Sequence, residues 1–416
     1  MKNLVILGAG TAGTMVANQM VRTLSAKDWS VTVVDPSTTH LYQPGLLFLA
    51  FGARDEHKIQ RPRKRTLAKK VHWVQEGVKL LDHKQKKVEL KNGTTINYDL
   101  LVIASGSHIH PEMLDGLTGD AWRKKHFDFY TLEGAQALRE KLDGFKGGKL
   151  VLNVAEMPIK CPVAPLEFLF LADDFFRKKG NRSEVEIVYA TPLEAAFTKP
   201  YAAQHLGYLL EEKGIIVEKE FQVMEADGEK LTSYDEREVS YDLLVSVPTH
   251  TGADFVETSG IGDELHFIPT DKNTLQAKEM DDVFVLGDAT NLPTSKAGSV
   301  AHFQAHVLVH NLERHINGVA LDPGFDGHAN CFIETGAGKG MLIDFNYATE
   351  PLPGHYPIPG IGPFTLLKES RANHMGKLAF RWLYWNGLLP AKPIPLAPQM
   401  SMVGKKPVLA LPAAQS

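Results

Sequence analysis

The stretch LVILGAGTAG, residues 4–13, decides the fold of this chain. Four consecutive aliphatic residues without polar alternation indicate a strand buried on both faces of a parallel sheet. Gly8, Gly10 and Gly13 then match G-x-G-x-x-G at the start of a helical pattern. Because a helix N-terminus offers free N–H groups and the positive end of the helix dipole, the stretch predicts a binding site for a dinucleotide pyrophosphate.

An acidic residue follows at the distance that such a site requires. Asp35 ends the strand pattern VTVVD, 22 residues after Gly13, where its carboxylate can accept a hydrogen bond from a ribose 2′-OH. Strand, glycines, helix and acid therefore occur in the order of a dinucleotide-binding unit.

The pentapeptide YDLLV occurs twice, at residues 98–102 and 241–245, and each copy closes a block rich in strand patterns. The repeat predicts an α/β fold with two Rossmann-like dinucleotide-binding domains, the second inserted into the first. The expected boundaries are 1–107 with 270–320 for the first domain, 108–269 for the second, and 321–416 for a C-terminal region.

Composition excludes several classes of protein. The 416 residues include 45 Lys and Arg against 49 Asp and Glu, so no basic field for nucleic acid is expected. Two cysteines exclude a disulfide-dense scaffold, and His302 and His306 lack a third ligand nearby, so no metal site is predicted. The N-terminus enters a strand without a secretory pattern and no apolar run could span a bilayer, which predicts a cytoplasmic protein.

The glycine motif, LLVIASGS at residues 100–107 and VFVLGDAT at residues 283–290 together resemble flavoproteins with two dinucleotide-binding domains. The resemblance implies FAD as the cofactor and Asp288 as the ligand of its ribityl chain. An alternative for Asp288 is an N-cap of the following helix. The resemblance also implies further cofactor contacts, which are Val78 at the adenine, Ser105 and Gly106 at the adenosine diphosphate, and Gly287 beside the ribityl chain.

The second domain lacks the corresponding glycine turn. No glycine occurs between Lys149 and Lys179, so a second pyrophosphate cannot approach the backbone as it does at the first strand. A nicotinamide partner is therefore not predicted, and Cys161 stands where the turn would be.

Several segments together resemble sulfide:quinone oxidoreductases and the flavoprotein subunit of flavocytochrome c sulfide dehydrogenase. They are Lys160-Cys161-Pro162 with Glu167, Cys331 in HANCFIETG, HLYQPGL at 40–46, GDATNLPTSKAG at 287–298, and the late WLYWN. The resemblance implies oxidation of sulfide to persulfide or polysulfide sulfur by a Cys161/Cys331 pair, with electrons passing through FAD to a quinone. It places Cys331 on the flavin side and Cys161 as the persulfide carrier, an order that the residues themselves leave open. Many bacterial quinone reductases of this kind carry a third cysteine, which residues 108–160 lack.

Other residues around this site have two interpretations each. Glu167 is a general acid or base, or a partner of the first-turn helix dipole. Lys296 brings positive charge to the flavin, as the resemblance implies, or is a solvated surface lysine, and Gln43 is a cofactor contact or a plain loop amide. The two cysteines are a redox pair or buried structural thiols, and a neighbouring Lys160 favours the thiolate of Cys161.

The segment GKLAFRWLYWNGLL, residues 376–389, predicts an amphipathic helix lying at a membrane interface. Its apolar residues recur every three to four positions, and these are Leu378, Ala379, Trp382, Leu383 and Trp385. Lys377 and Arg381 lie between them and are expected on the polar side. An ordinary packed helix or an oligomer contact is the alternative.

The membrane prediction suits a lipid-soluble quinone, for which Phe345, Tyr347 and Phe364 are aromatic candidates. The expected partners are then sulfide, quinone and a membrane surface, with the protein peripheral on the cytoplasmic side and a homo-oligomer possible. Two other functions stay open: a soluble sulfide dehydrogenase flavoprotein that passes electrons to a cytochrome, and a non-catalytic flavoprotein redox sensor.

Overall fold

Two five-stranded parallel sheets and a third, smaller mixed sheet carry the fold. The structure is a computed structural model that describes residues 1–358, 360–394 and 397–406. The end of the predicted C-terminal region, residues 407–416, lies outside the described residues.

The first part of the chain forms nine strands and two helices. They are β1 (Lys2–Leu7), α1 (Thr11–Thr23), β2 (Trp29–Val34), β3 (Thr39–Leu41), α2 (Pro44–Ala50), β4 (Gln60–Pro62), β5 (His72–Val74), β6 (Val78–Asp82), β7 (Lys87–Leu90), β8 (Thr95–Asn97) and β9 (Leu100–Ile103).

The middle part forms ten strands and three helices. They are β10 (His108–His110), β11 (His126–Phe127), α3 (Leu132–Gly144), β12 (Gly148–Val154), α4 (Ala164–Lys179), β13 (Val185–Ala190), α5 (Pro200–Glu212), β14 (Ile215–Glu218), β15 (Val223–Ala226), β16 (Lys230–Ser233), β17 (Glu238–Ser240), β18 (Leu243–Val247) and β19 (Thr249–Thr251).

The last part returns to the first sheet and then forms the third. Its elements are α6 (Asp254–Thr258), β20 (Val283–Val285), α7 (Gly298–Ile316), β21 (Ala329–Gly336), β22 (Lys339–Phe345), β23 (Gly354–Ile358), β24 (Gly362–Leu366) and α8 (Arg371–Leu383), followed by a π-helical turn at Tyr384–Leu388.

The two parallel sheets have matching strand orders, β20-β9-β1-β2-β5 and β11-β18-β12-β13-β14. The strands that begin within the two YDLLV copies, β9 and β18, occupy the same position beside the first strand of each unit. Each unit also has a three-stranded antiparallel sheet, β6-β7-β8 or β15-β16-β17. Leu4 to Leu7 have no exposed surface, as expected of a strand buried on both faces, so the prediction of two Rossmann-like units is confirmed.

The core of the first unit includes residues that the sequence analysis assigned to the second. Phe255 and Val256 on α6, together with Ile268, belong to the same apolar cluster as Val5 and Leu101. The link between the units is the antiparallel pair of β10 and β19. By these apolar contacts, the chain rejoins the first unit soon after residue 251, earlier than the expected boundary at residue 270.

The C-terminal unit packs α8 against the mixed sheet β21-β22-β24-β23. Ser370 starts the helix as an N-cap, because its Oγ accepts a hydrogen bond from Asn373 N at 3.0 Å. The prediction that Trp385 lies on an outward apolar stripe is wrong. The π-helical turn rotates Trp385 inward, where it is 6% exposed and packs on His40 and Tyr42.

The outward face of α8 is formed by other residues than those predicted. Trp382 is 70% and Met375 61% exposed, and Ala379 is exposed between them. Lys377, expected on the polar side, points into the protein instead. Among the described residues, no helix combines the length and the apolarity needed to cross a membrane.

Candidate functional site

The glycine loop lies at the carboxyl edge of the first sheet, between β1 and α1. Gly8 has φ +99°, and a Cβ there would lie 2.4 Å from Ala104 O, at the end of β9. A Cβ at Gly13 would lie 1.9 Å from Gly8 O, so the helix can approach the loop this closely only with glycine. A Cβ at Gly10, by contrast, would meet no atom within 4 Å. The loop is thus closed on the protein side and open on the other.

Asp35 is held beside this loop by protein groups. Its Oδ2 accepts from Ala9 N at 2.7 Å, and its Oδ1 accepts from Ser37 N at 2.9 Å and pairs with Arg63 at 3.2 Å. Arg63 is buried and also donates to Ser37 O and Thr39 O. Arg63 is not among the residues predicted from the sequence, because its position depends on the β3–β4 pairing.

The ends of β9 and β20 complete this edge of the sheet. Ser105 Oγ is buried and has no hydrogen-bond partner among the described residues. Ser107 Oγ lies 3.3 Å from Asp288 Oδ2, and Gly287 N donates to Gln304 Oε1 at 2.7 Å. A bound dinucleotide would fill the open side of the glycine loop and give the buried Ser105 hydroxyl a hydrogen-bond partner, so these residues fit FAD.

Val78 and Gln43 lie at other elements, and one alternative for Asp288 is wrong. Val78 begins β6, where it pairs with Leu90, and Gln43 is exposed just before α2. Asp288 is not an N-cap of the following helix, since α7 begins at Gly298 with Ala297 as its cap.

Lys296 is buried, so its interpretation as a solvated surface lysine is wrong. Its Nζ donates to Asp288 O at 2.9 Å and Thr290 O at 2.6 Å and lies 3.8 Å from the centre of the Phe267 ring. Burial lowers its pKa to about 8, although the charges of Asp288 and Asp263 oppose the shift. Lys296 thus fixes the loop that carries Asp288.

Cys161 connects the second unit to this loop. Its backbone N donates to Lys296 O at 2.7 Å, and its O accepts from Ala164 N at 2.8 Å, where α4 begins. Its φ is +53°, a left-handed conformation that non-glycine residues rarely adopt. Backbone strain of this kind is concentrated at functional sites.

Cys331 lies on β21, which packs against α4, the helix that begins three residues after Cys161. It is buried, Cys161 is half-buried, and the two thiols are free. Burial raises the pKa of Cys331, and the charge of Cys161 adds to this rise. Although 170 positions separate them in the chain, the two cysteines are thus near enough for the charge of Cys161 to affect the pKa of Cys331.

Burial lowers the pKa of Lys160 and the charge of Cys161 opposes this shift, so the two groups attract each other as expected. The attraction is too weak to make Cys161 a thiolate. Lys160 Nζ donates to Ser107 O at 3.1 Å. Burial and then the Glu167 charge raise the pKa of Cys161 to about 12, and Lys377 is the cation that opposes them. Cys161 is accordingly a protonated thiol at neutral pH when it is not bridged.

Glu167 forms a buried ion pair in the first turn of α4. Its Oε1 accepts from Lys377 Nζ at 2.7 Å and from Glu334 N at 2.8 Å. Lys377 also donates to Phe332 O at 2.8 Å. Burial lowers the pKa of Lys377, but the charges of Glu167 and Cys161 outweigh burial and raise it. The ammonium thus stays charged between Glu167 and the cysteines.

The spacing of residues along the helix could have predicted that Lys377 points into the protein. Lys377 follows the buried Asn373 by four positions and precedes the buried Tyr384 by seven, the spacing of a single helix face. The prediction instead took the side of the helix with the tryptophans as the apolar face, which placed Lys377 on the polar side.

The three quinone candidates lie in different surroundings. Phe364 packs edge-on against Phe332, with ring centres 5.1 Å apart. Phe345 is buried at the end of β22, and Tyr347 donates its hydroxyl to Lys272 O at 3.2 Å. Of the three, Phe364 is nearest in contacts to the cysteine site, because Phe332 follows Cys331.

Comparisons with known proteins agree with this geometry. The model of the pyridine nucleotide-disulphide oxidoreductase family matches residues 2–305. The mitochondrial sulfide:quinone oxidoreductase of Mus musculus is 27% identical over 395 residues, which cover 93% of this chain and 86% of that protein. The corresponding protein of Dictyostelium discoideum is 29% identical over 399 residues, covering 94% and 86%. A solved structure, the sulfide:quinone oxidoreductase of Aquifex aeolicus, has a TM-score of 0.77 at 19% identity and covers 93% of this chain and 92% of that one.

Proposed function

Since this chain belongs to the pyridine nucleotide-disulphide oxidoreductase family, we propose that it is an FAD-dependent sulfide:quinone oxidoreductase. The relatives that match most of its length carry that name. One observation supports the proposal for this chain: Cys161 and Cys331, from different units, both lie near enough to the buried Glu167–Lys377 pair for its charges to affect their pKa values.

The cysteines supply the sulfur chemistry. Hydrosulfide attacks Cys161 Sγ of a Cys161–Cys331 disulfide, a new S–S bond forms, and Cys331 leaves as a thiolate. The half-exposed Cys161 is the more accessible of the two, which supports it as the persulfide carrier. When bound, FAD takes up the electron pair that the cysteines release and passes it to the quinone.

Glu167 and Lys377 act on charge and protons at this site. Lys377 lowers the pKa of both cysteines, so it stabilises the thiolate that the attack releases. Glu167 keeps Lys377 charged and is placed to accept the proton that the persulfide loses. Both interpretations of Glu167 apply, because the same carboxylate also lies at the positive end of α4.

The second unit supports a reductant other than a nicotinamide. In place of a short glycine turn after its first strand, residues 155–163 run to α4 and carry Cys161. A pyrophosphate would meet side chains there rather than bare backbone.

The exposed apolar residues of the C-terminal unit support a peripheral membrane position. Met375, Ala379 and Trp382 line the outward face of α8. Burial and then the charge of Arg381 lower the pKa of Arg61, so these two guanidinium groups lie near each other. Apolar anchors beside grouped arginines suit an anionic lipid surface.

The test uses the purified, FAD-loaded protein under anaerobic conditions. Sulfide should bleach the flavin absorbance, and a short-chain quinone should restore it. Flavin that stays oxidised with sulfide would refute the proposal and favour a redox sensor. Colour that returns only with a cytochrome would favour a sulfide dehydrogenase.

One variant and one alternative reductant are checked in the same assay. Cys331→Ser should retain FAD but lose bleaching by sulfide, and turnover retained by that variant would exclude the disulfide step. Bleaching of the wild type by NADH would contradict the interpretation of residues 155–163.

A further inference from the structure

A buried carboxylate and a histidine lie beside the cysteine site and have no part in the steps above. Glu334 stands on β21, three residues after Cys331, and its side chain is 2% exposed. Its Oε2 lies 2.8 Å from Nδ1 of His374 on α8, whose side chain is 24% exposed. The pair therefore connects the interior with solvent.

Glu334 is also joined to the Glu167–Lys377 pair. Its backbone N donates to Glu167 Oε1, the oxygen that accepts from Lys377 Nζ. The other carboxylate oxygen, Glu334 Oε1, is buried and has no hydrogen-bond partner among the described residues. Because an unpaired buried carboxylate oxygen is costly while it is charged, Glu334 is suited to take up a proton.

The charges around Glu334 oppose one another. Burial, the largest cause, and the Glu167 charge raise its pKa, whereas His374 and Lys377, both on α8, lower it. Arg54 faces it from the loop after α2. The net rise moves the pKa of this carboxyl towards neutral pH, as in groups that take up and release protons.

The proposed reaction needs a proton from solvent. Oxidation of one hydrosulfide to persulfide sulfur releases two electrons and one proton, whereas reduction of one quinone to quinol consumes two electrons and two protons. One proton per turnover must therefore enter the protein, and it is required in the quinone half of the reaction.

We propose that His374 and Glu334 carry this proton from solvent to the Glu167–Lys377 pair. The proposal rests on the function proposed above. The proton passes from His374 Nδ1 to Glu334 Oε2, and the carboxyl releases a proton from its unpaired Oε1 towards Glu167, to which it is electrostatically coupled. His374 is then reprotonated from solvent. Both are positioning residues that act through the pair.

The first test separates the two half-reactions by stopped-flow absorbance. In Glu334→Gln, which keeps the shape of the side chain, bleaching by sulfide should stay within twofold of the wild type. Reoxidation by quinone should slow at least tenfold, a modest share of the typical 10²- to 10⁴-fold effect of acid–base groups. His374→Ala should slow the same step, and added imidazole should restore it.

A matched control is the exposed His110–Glu112 pair, which has the same 2.8 Å contact. Glu112→Gln should leave both half-reactions unchanged. Reoxidation of Glu334→Gln at the wild-type rate would overturn the proposal, as would a His374→Ala defect that imidazole does not relieve.

A second readout needs no turnover. The infrared carbonyl band of protonated Glu334 should titrate in the wild type, disappear in Glu334→Gln, and titrate at higher pH in His374→Ala, because His374 lowers the pKa. A band that is unmoved in His374→Ala would overturn the relay. If sulfide fails to bleach the wild type while this titration holds, the proposed function fails and the pair remains a proton-exchanging site.

Discussion

Replacing Lys377 with methionine tests the charge arrangement at the cysteines most directly. The change preserves the length of the side chain but leaves Glu167 buried without its cation. Removing one partner of a buried ion pair costs about 3–5 kcal/mol of the free energy of unfolding. The loss should be smaller in the double variant Lys377→Met/Glu167→Gln, in which no buried charge is left unpaired.

The same change should alter the chemistry of Cys161. Burial and Glu167 raise the pKa of this thiol to about 12, and Lys377 opposes them. Without Lys377 the pKa rises further, so alkylation by iodoacetamide should be slower than in the wild type at every pH where the thiolate reacts. In the double variant the profile should return towards that of the wild type.

A second buried pair in the same unit is the matched control. Lys405 and Asp344 are both buried and form an ion pair on the mixed sheet. Lys405→Met should therefore lower the urea midpoint to a similar extent without changing the alkylation of Cys161, followed by mass spectrometry of its peptide. The reasoning is refuted if the alkylation profile of Lys377→Met matches that of Lys405→Met.

Three further outcomes are expected. In Gly13→Ala the new Cβ would meet backbone at 1.9 Å, so urea unfolding of the apoprotein should show a loss of about 1–3 kcal/mol. Gly10→Ala should leave the apoprotein as stable as the wild type but weaken FAD binding in fluorescence titrations. Lys296→Met leaves the buried carbonyl of Thr290, at about 1–3 kcal/mol, and the partly buried carbonyl of Asp288 without their charged donor, so less FAD should be retained on gel filtration. Hydrogen bonding and charge from His328 and Lys405 outweigh burial and lower the pKa of Asp344. The ionised carboxylate therefore stabilises the fold fully above its unfolded pKa of about 3.9, and this stabilisation is lost as pH falls through the folded pKa. The difference in urea midpoint between the wild type and Asp344→Asn should accordingly shrink from pH 6 to pH 3.

Local patterns were sufficient for the parallel sheets. The uninterrupted apolar run of β1 and the two copies of YDLLV each describe a strand whose neighbours are also buried, and the structure gives both copies the same place beside a first strand. The glycine loop was equally predictable, because its geometry depends on residues within one short turn.

The partners of the site residues could not be predicted in this way. Lys377 is 210 positions from Glu167, and Glu334 is 40 positions from His374. No periodic pattern connects residues on different elements, so each pairing is determined by how α8 packs on the mixed sheet. The inward direction of Trp385 could not be predicted either, because the prediction assumed a regular helix where a π-helical turn occurs.

The two units differ in the connection that follows their first strand, and in the second unit this connection carries Cys161. Three residues, 8–10, join β1 to α1, whereas nine residues, 155–163, join β12 to α4 in the same topological position. A three-residue turn keeps the helix N-terminus directed at a phosphate. The longer connection instead reaches across to the first unit, where Cys161 N bonds to Lys296 O. The longer connection of the second unit thus replaces a short glycine turn with a segment that holds Cys161 against the loop of Asp288.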